Sequence, residues 1–530
     1  MYPIPTIETR WLGAALALAL LVGSISGSVV TAALASAGLV LVAAVFASTV
    51  PLARRARADR LEFAWWIAGE SGDPALPVVR AAAPFTVHCF FRHRGSGPIH
   101  MDAIEPVSAH AVGLDAIRTA PLEVPPGTRV EFALRLSAPS PGRSVLHGVL
   151  VRLRGPLGLF EMPLYFPNRL RVTVAPRRLA RSRVRGTPER PPTRAAAHAQ
   201  RRRGRGTELH ELRDLRPGDP FRTIAWKTSA RLGRLVVKEV EQEEHGTHRL
   251  VVDAAPSMRA GTPGRTRLDR ALEVAIGEAE ASLAMGDRVG VDVVDGRSIA
   301  DLPPDDRPQQ ARKVLDTLVS AFDVVDEDLT EVDDAEVGRR VARYVRHQEG
   351  LDFSDGSEAG CDLRALAAHV APRAERVPGK VRASTHEGTL LRRYAKRDGI
   401  PLPYRRTAPV GEKQRALVAA LERIEARRLG PSRVTVLTDG EDLEVDETLR
   451  RAFLRLSRHG HTVRFVLVRN PEPPGRGDDA LARAERRRAE LEARRLRALA
   501  ASLRRLGAAA ELADVAQVPP SPLAPTETSA

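Results

Sequence analysis

The amino-acid sequence predicts a multi-domain protein made of an N-terminal transmembrane helical hairpin, a small β-sandwich and a Rossmann-like α/β domain with a central parallel sheet. Three observations lead to this fold class. The first is a long uncharged run near the amino terminus, the second is a stretch of short alternating segments, and the third is a region where strands alternate with helices. A chain of 530 residues has room for two to four such domains.

The uncharged run extends from Trp11 to Leu52 and is rich in Ala, Leu and Val. Because one membrane span needs about 20 apolar residues, residues 1–60 are predicted to hold two transmembrane helices, at about 11–28 and 30–52. A cleaved signal peptide is the alternative, but its apolar core is limited to about 7–15 residues. Four arginines follow the second span, namely Arg54, Arg55, Arg57 and Arg60. By the positive-inside rule we expect a two-pass protein of the inner (cytoplasmic) membrane with its soluble domains in the cytoplasm.

Residues 61–176 alternate between polar and apolar side chains in short segments separated by Gly and Pro, which is typical of a β-sandwich. Residues 177–205 follow as a linker that contains eleven arginines and one glutamate. Such a segment buries too little apolar surface to fold alone, and we interpret it as a solvated tether or as a contact with the anionic lipid surface. Nucleic-acid binding is disfavoured, because aromatic residues make up only 4% of the chain.

From residue 248 the pattern changes to strands that alternate with helices, which predicts a parallel sheet covered on both faces. The strands are predicted at 248–253, 287–294, 433–440, 462–468 and, more weakly, 508–515. This α/β domain spans 248–516 and carries an insertion at 350–408, which we interpret as a surface elaboration near the ligand edge. The tail at 517–530 is predicted to be disordered.

Several classes of protein lack their sequence signature in this chain. The two cysteines, Cys89 and Cys361, lie far apart, which excludes a disulfide framework and a CxxC redox site. The sequence also has no Gly-rich phosphate loop, no G-x-S-x-G elbow and no HExxH zinc motif. It therefore does not predict an enzyme.

Two predicted strands end in carboxylates at the edge where ligands bind in parallel α/β sheets. Asp253 ends the first strand and is followed by Ser257, and Asp439 lies at the end of a later strand. Because Mg²⁺ prefers oxygen ligands from carboxylates, hydroxyls and water, these side chains predict a cation site. A threonine from a third loop would complete it.

This arrangement resembles the metal-ion-dependent adhesion site of von Willebrand factor A domains. Their pattern is D-x-S-x-S after the first strand, a threonine in a middle loop and an aspartate after the fourth strand. Here the first element reads Asp253-Ala254-Ala255-Pro256-Ser257, so that Ala255 replaces the first serine. For the threonine of the middle loop, Thr330 fits best, with Thr389 in the insertion as the alternative. The resemblance thus implies a degenerate site for Mg²⁺, or for Mn²⁺ or Ca²⁺, with these ligands: Asp253, Ser257, Thr330 and Asp439.

A second resemblance covers residues 206–247. The run from Gly206 to Glu239 is similar to the hallmark G-x-E-F-x-x-L-R-x-Y-x-x-G-D-x-x-R-x-I-x-W-x-x-S-A-R of the family called domain of unknown function 58. The matching hallmark residues are Glu208, Arg213, Gly218, Asp219, Arg222, Trp226, Ser229 and Arg231. The resemblance implies the same order of parts over nearly the whole chain. It also implies a MoxR-type AAA+ ATPase as partner, since members are typically encoded beside one.

The hallmark segment combines fixed charges with one large aromatic side chain, as an ordered and packed segment does. We expect Arg213, Arg222 and Arg231 to pair with nearby carboxylates, so that the segment docks the end of the linker onto the α/β domain. Trp226 is expected to be a core anchor rather than a binding platform.

The predicted function is that of a membrane-anchored protein–protein interaction or adaptor protein. Its α/β domain would bind a partner within an assembly or maturation system linked to a MoxR-type AAA+ ATPase, and its hairpin would contact the lipid bilayer. Two alternatives stay open. One is a metal-dependent hydrolase at the edge formed by Asp253 and Asp439, and the less favoured one is a nucleic-acid binder that uses the Arg-rich linker.

Overall fold

The computed structural model describes most of the chain, in segments separated by gaps. They are 3–57, 61–67, 77–95, 97–108, 112–113, 122–177, 203–204, 208–215, 221, 224–241, 246–355, 360–377, 379–428, 430–469 and 480–514. The predicted linker (177–205) and the predicted tail (517–530) fall almost wholly outside the described residues.

Twelve α-helices lie in the described segments. They are α1 (Ile7–Ser26), α2 (Val29–Arg57), α3 (Trp226–Leu232), α4 (Pro256–Arg259), α5 (Arg267–Ala284), α6 (Gln310–Val319), α7 (Asp334–Glu349), α8 (Leu363–Ala374), α9 (His386–Asp398), α10 (Glu412–Ala426), α11 (Glu447–Arg458) and α12 (Ala480–Arg505).

The strands of the described segments form four sheets. They are β1 (Ile4–Pro5), β2 (Leu61–Ile67), β3 (Val78–Arg80), β4 (Pro84–His93), β5 (Ile99–Ser108), β6 (Val112–Gly113), β7 (Leu122–Val124), β8 (Arg129–Ser137), β9 (Gly142–Arg154), β10 (Phe160–Ala175), β11 (Arg203–Gly204), β12 (Glu208–Asp214), β13 (Val236–Glu241), β14 (Thr247–Asp253), β15 (Arg288–Asp295), β16 (Arg297–Asp305), β17 (Ser432–Thr438), β18 (Thr462–Arg469) and β19 (Ala509–Asp514).

The two N-terminal helices form a hairpin that returns to the sandwich at both ends. Both α1 and α2 are long and apolar enough to cross a membrane, and few of their residues are buried in the protein. This is compatible with a two-pass membrane protein. Before α1, β1 pairs antiparallel with β10, so that Ile4 lies opposite Glu161. In the second half of α2, the ring of Phe46 packs edge-on against that of Phe160, with 5.3 Å between centroids.

Two sheets pack face to face over one core and form the sandwich. One sheet has the order β1-β10-β9-β5-β7, with β3 beside β10, and the other has the order β2-β4-β8-β6. Cys89 and Phe91 of β4 are fully buried in the same cluster as Val151 and Leu153 of β9. The inward residues alternate along each strand, as the period-two pattern of the sequence predicted.

The α/β domain is built on a six-stranded sheet with the order β16-β15-β14-β17-β18-β19. Counted along the chain this order is 3-2-1-4-5-6, that of a doubly wound fold. All neighbouring strands are parallel except β15 and β16. Strand β16 was not predicted, and its sequence contains Pro303 and Pro304. Proline is tolerated in a sheet mainly on such edge strands.

Helices cover both faces of this sheet, as predicted. On one face, α5 and α6 bury Leu272 and Leu318 against the central strands. On the other face, α10, α11 and α12 bury Leu421, Phe453 and Leu496. Every one of these five side chains is at most 6% exposed, so the sheet presents only its ends to ligands.

The insertion folds as part of a small helical unit. Val341 of α7 is fully buried against Leu366 of α8 and Leu391 and Tyr394 of α9, within a hydrophobic cluster separate from those of the sheet. The unit therefore begins at α7, some residues before the predicted start of the insertion at residue 350.

This helical unit contacts the sandwich. Arg169 of β10 lies 3.2 Å from the Asp398 carboxylate and 3.5 Å from that of Glu349. The Tyr344 hydroxyl lies 3.2 Å from Nδ1 of His147. The helical unit, with Asp398 of the insertion, thus forms an inter-domain clamp, a contact that the prediction of a surface elaboration near the ligand edge did not include.

A cleft of about 800 Å³ opens beside this clamp, between the sandwich and the α/β domain. Asp323 lines it and faces Arg143, whose Nε is 3.6 Å away. Burial raises the pKa of the Asp323 carboxyl to about 6, although Arg143 and Lys396 oppose the shift. One of its oxygens, Oδ2, is buried and has no hydrogen-bond partner within the described part of the chain.

Asp323 gives a prediction of pH dependence. A carboxyl whose pKa rises on folding stabilises the fold below its unfolded pKa of about 4 and loses that contribution as the pH rises through 6. We expect the Asp323→Asn variant to gain stability relative to the wild type between pH 4.5 and 7.5. The gain should reach up to about 3 kcal/mol, and thermal unfolding of both proteins across this range measures it. Parallel pH profiles would contradict the assignment.

Candidate functional site

The candidate site lies where the doubly wound sheet changes direction. The switch point falls between β14 and β17, which are the first and fourth strands of this sheet along the chain. Ligands of such sheets bind outside the carboxyl ends of the strands at this point. Asp253 ends β14 and Asp439 directly follows β17, so the structure brings the two predicted carboxylates to one place.

Each of the four carboxylate oxygens of Asp253 and Asp439 accepts a hydrogen bond. Oδ1 of Asp253 accepts from the backbone N–H of Ala255 at 3.0 Å, and Oδ2 accepts from the Thr438 hydroxyl at 2.7 Å. Oδ1 of Asp439 accepts from the backbone N–H of Glu441 at 2.9 Å. Both aspartates are almost fully buried, so these contacts take the place of water.

A lysine from the start of α10 lies between the two carboxylates. Nζ of Lys413 is 2.7 Å from Oδ2 of Asp253, forms an ion pair with Oδ1 of Asp439, and donates to Oγ of Ser257 at 3.1 Å. An ammonium group has three N–H donors, and each has a partner here. The side chain is 5% exposed, so the charge is neutralised inside the protein.

A second cation completes the charge balance. Nη1 of Arg267, at the start of α5, donates to Oδ2 of Asp439 at 2.9 Å, and its Nη2 donates to Glu492 of α12 at 2.7 Å. The Arg267 side chain is 7% exposed. Two cations thus face the two aspartates, with Glu492 on the outer side of Arg267.

The electrostatics of the pair follow from burial and these partners. Burial raises the pKa of the Asp253 carboxyl, although the Lys413 ammonium opposes the shift. Burial acts in the same sense on Asp439, but Lys413 and Arg267 outweigh it and lower that pKa. Burial alone would lower the pKa of Lys413, and the two carboxylates raise it instead. Lys413 therefore stays protonated near neutral pH.

The third strand that ends at this edge repeats the pattern. Asp295, at the end of β15, accepts hydrogen bonds from the Tyr404 hydroxyl and from Nη2 of Arg405, the latter at 2.7 Å. Arg405 also pairs with Glu412 at 3.1 Å. The Arg259 guanidinium lies over the Tyr404 ring at 3.5 Å from the centroid. Each of the three strand-end aspartates at the switch region thus has a cation as partner.

Two of these cations come from one segment, residues 404–413, which we call the edge strap. It begins with Tyr404 and Arg405 on Asp295 and ends with Lys413 on the Asp253–Asp439 pair. Its outer side is exposed, since Val410 is 91% exposed and the Arg406 side chain 88%. The strap covers the carboxyl edge with its charged side and leaves an apolar and a basic side chain facing outward.

The predicted threonine ligand lies in another network. The Thr330 hydroxyl donates to the carbonyl oxygen of Asp326 at 2.8 Å and accepts from Nη1 of Arg392 at 2.9 Å. The alternative, Thr389, donates to the carbonyl oxygen of Thr385 within α9. Of the four predicted ligands, Asp253, Ser257 and Asp439 meet at Lys413, whereas the hydroxyl contacts of Thr330 are with Asp326 and Arg392.

These residues do not fit a divalent cation. The ammonium group lies between the carboxylates that would hold the ion, and Ala255 contributes a methyl group where an oxygen would be needed. Within the described segments, no group of three or more His, Cys, Asp or Glu side chains is placed to hold a metal. The site is chemically an internal ion pair.

The hallmark segment forms a separate three-stranded sheet of order β11-β13-β12 with α3 beside it. Ser229 is buried and accepts from the backbone N–H of Val236 at 2.9 Å, which fixes α3 to β13. Trp226 is 62% exposed, so its predicted role as a core anchor is wrong. The Asp214 carboxylate pairs with Arg234 at 3.0 Å, a partner that the sequence interpretation did not name.

The remaining hallmark residues are described less fully. Gly218, Asp219 and Arg222 lie outside the described residues, and of Glu208 and Arg213 only the backbone of β12 is described. Arg231 lies in the last turn of α3 and is exposed. The pairing of the hallmark arginines with nearby carboxylates therefore stays a prediction.

Sequence reasoning missed Lys413, Arg267 and Arg405, which are the cations of the site. One signal pointed to the first of them, because the chain has 75 arginines and only six lysines. Arginine presents a planar fork, whereas lysine presents a compact point charge with three donors. The rarity of lysine therefore limits the positions at which such a compact cation could act to six.

The fold and the site together define a class: an α/β protein with two apolar N-terminal helices, whose sheet edge is closed by internal ion pairs. Residues 211–344, about a quarter of the chain, match the family model described as "Protein of unknown function DUF58". This match confirms the resemblance of the hallmark segment to that family. No match was found among curated proteins.

Solved structures show only remote likeness. The cupredoxin domain of amoB from Nitrosocaldus yellowstonii is 11% identical with a TM-score of 0.16, over 22% of this chain and 87% of that one. A cohesin module from Clostridium perfringens ATCC13124 is 8% identical with a TM-score of 0.13, over 22% of this chain and 98% of that one. Scores this low carry no argument about fold or function.

Proposed function

We propose that this protein is a membrane-anchored interaction protein that binds a protein partner through the outer side of the edge strap. The observation that carries the proposal is the saturation of the carboxyl edge. Asp253 and Asp439 have every carboxylate oxygen engaged by Lys413, Arg267 or a neighbouring donor. A carboxylate in that state is not available as a base or as a nucleophile.

The same observation argues against the alternative of a metal-dependent hydrolase. Metal-assisted hydrolysis needs an ion with an open position for water, and the ammonium of Lys413 lies where that ion would be held. What is left at this end of the sheet is an exposed surface. Its centre is the strap with Val410 and Arg406.

The von Willebrand factor A-like character of the domain is part of the proposal. Its support is that Asp253 ends the first strand of the doubly wound sheet and Asp439 follows the fourth, as that resemblance predicts. In keeping with the resemblance to domain of unknown function 58, we propose a MoxR-type AAA+ ATPase as the partner. That choice rests on the family context alone.

The test is a binding measurement with the full-length protein in detergent and the purified MoxR-type ATPase of the same genome. We expect the double variant Arg406→Glu/Val410→Asp to weaken binding at least about tenfold, since it reverses a charge and removes an apolar contact at the proposed centre. The control is Met285→Asp, which introduces the same charge at a side chain that is 53% exposed near the opposite end of the sheet. Equal binding by both variants would refute the strap as the partner surface.

Membrane topology gives a separate prediction. Because β1 pairs with β10, the amino terminus and the sandwich must lie on the same side of the membrane. We expect a short tag after Met1 and a tag inserted between residues 190 and 191 to be equally protected from protease in intact spheroplasts, and equally cleaved after lysis. Opposite accessibility of the two tags would exclude a two-pass hairpin.

A further inference from the structure

The oxygen atoms around Lys413 form the kind of cage that binds a cation. Three oxygens from three parts of the chain converge on its Nζ: Oδ2 of Asp253, Oδ1 of Asp439 and Oγ of Ser257. Two of them are carboxylate oxygens and one is a hydroxyl oxygen, the donor types that hard divalent cations take. The cage therefore has the chemistry of a metal site, while the occupant is part of the protein.

Lysine suits this position better than arginine would. The ammonium is a compact charge whose three donors point in different directions, whereas the guanidinium is flat and prefers to face one carboxylate with two parallel bonds. Arg405 makes such a two-bond contact with Asp295. Arg267 instead gives one bond to Asp439 and one to Glu492. Among the described cations of this edge, Lys413 is the one that contacts two strand-end aspartates, Asp253 and Asp439.

The position of the charge is fixed by the fold. Lys413 is the second residue of α10, and its backbone is held there by the helix whose next turns pack Ala416 and Leu417 into the core of the sheet. The side chain itself is 5% exposed. A mobile ion can leave its site, but this charge can leave only if the first turn of α10 moves.

We infer that the ammonium of Lys413 is a built-in cation that takes the place of a divalent metal at the carboxyl edge, so that this edge is closed to metal ions. Removing the side chain opens the cage. Lys413→Ala would leave two carboxylates, a hydroxyl group and room for a hydrated Mg²⁺ or Mn²⁺, which usually keeps several of its water ligands. The inference concerns ion binding only and does not depend on the proposed partner.

The test measures thermal unfolding and Mn²⁺ binding by electron paramagnetic resonance on the full-length protein in detergent. For the wild type, we expect the same unfolding temperature in EDTA and in about 5 mM Mg²⁺ or Mn²⁺, because an ion that does not bind cannot stabilise the fold. For Lys413→Ala, we expect a lower unfolding temperature in EDTA and a rise of several degrees as either ion is added. The rise should come with one additional bound Mn²⁺ per chain.

Two further variants serve as controls. Lys413→Met removes the charge but fills the space, so we expect it to be destabilised and not rescued by ions. Lys413→Ala/Asp439→Asn keeps the space but loses a carboxylate. We therefore expect it to need an ion concentration at least about tenfold higher for the same rise in unfolding temperature. A wild type that binds Mn²⁺ in a way abolished by Asp439→Asn would overturn the inference.

A folded Lys413→Ala variant that fails to respond to Mg²⁺, Mn²⁺ or Ca²⁺ would also overturn it. If Lys413→Ala does not fold in EDTA but folds when ions are present during purification, that result supports the inference. If Lys413→Ala folds in neither condition, the comparison of the wild type with Asp439→Asn decides. Mn²⁺ binding by the wild type that is lost in Asp439→Asn contradicts a closed cage, and no such binding supports one.

Discussion

Replacing Lys413 by methionine is expected to destabilise the α/β domain by about 3–5 kcal/mol. Methionine has a similar volume, so the loss comes from charge and not from a cavity. The change leaves Asp253 and Asp439 buried with one cation fewer, and removing one partner of a buried ion pair leaves an uncompensated charge in a medium that solvates it poorly.

Hydrogen exchange of the backbone amides of β14 and β17 measures this effect best. Thermal unfolding detects a change in stability but does not assign it to one of several domains, whereas exchange reports the free energy of opening at the strands themselves. The control is Lys227→Met in α3, where an exposed lysine is removed and a change within about 0.5 kcal/mol is expected.

A double variant separates charge from packing. Asp253→Asn/Lys413→Met removes one negative and one positive charge together, so it should be less destabilised than the sum of the two single variants by about 1–3 kcal/mol. Purely additive losses would mean that the ion pair contributes little, and would contradict the network described above.

The second large effect is expected at Arg392. Its side chain is fully buried in α9 and makes four bonds: Nη1 to the Val325 carbonyl oxygen and the Thr330 hydroxyl, both at 2.9 Å, Nη2 to the Val332 carbonyl oxygen at 2.7 Å, and Nε to Asp334 at 3.2 Å. Arg392→Met should destabilise the helical unit by about 3–5 kcal/mol, since it removes the cation that pairs with Oδ1 of the Asp334 carboxylate and the donor to two backbone carbonyl oxygens.

The neighbouring Arg393 provides a matched control on the same helix. Its one hydrogen bond within the described residues is to the Gly379 carbonyl oxygen at 3.3 Å, so Arg393→Met should cost about 1 kcal/mol or less. Hydrogen exchange of α7 and α9 distinguishes the two variants. Equal protection in both would show that the buried guanidinium is not what fixes the loop around Thr330.

The sequence was informative where periodicity or composition decides the structure. The uncharged run from Trp11 to Leu52 marked the hairpin, although the helices extend over Ile7–Ser26 and Val29–Arg57. The central strands were found because both faces of a doubly wound sheet are buried, which produces continuous apolar runs. Their ends then placed Asp253 and Asp439 together, because parallel strands end at the same edge.

The sequence was uninformative where the partner comes from a distant segment. Lys413 meets Asp253 across a separation of 160 positions, and a lysine at the start of a helix reads as an ordinary solvated side chain. Thr330 was assigned to the edge for its position before a helix, but its hydroxyl accepts a hydrogen bond from the buried Arg392 of the insertion. Spacing along the chain carries no information about such contacts.

Trp226 shows the opposite error. Large aromatic side chains are usually buried to a high degree, so an isolated tryptophan among charged residues was interpreted as a core anchor. The helix that carries it is only seven residues long and is fixed to its sheet through Ser229. A short helix attached along one side leaves most of its other side chains in solvent.

The pairing of β1 with β10 has a consequence for how the chain is made. Ile4 is synthesised before the hairpin, but its partner Glu161 follows only after the hairpin and most of the sandwich have been synthesised. The hairpin can therefore enter the membrane first, and the amino terminus must wait beside it until the sheet has an open edge to receive it. Strand β1 is therefore among the last to be added to its sheet, and a bulky group fused ahead of it should slow that step.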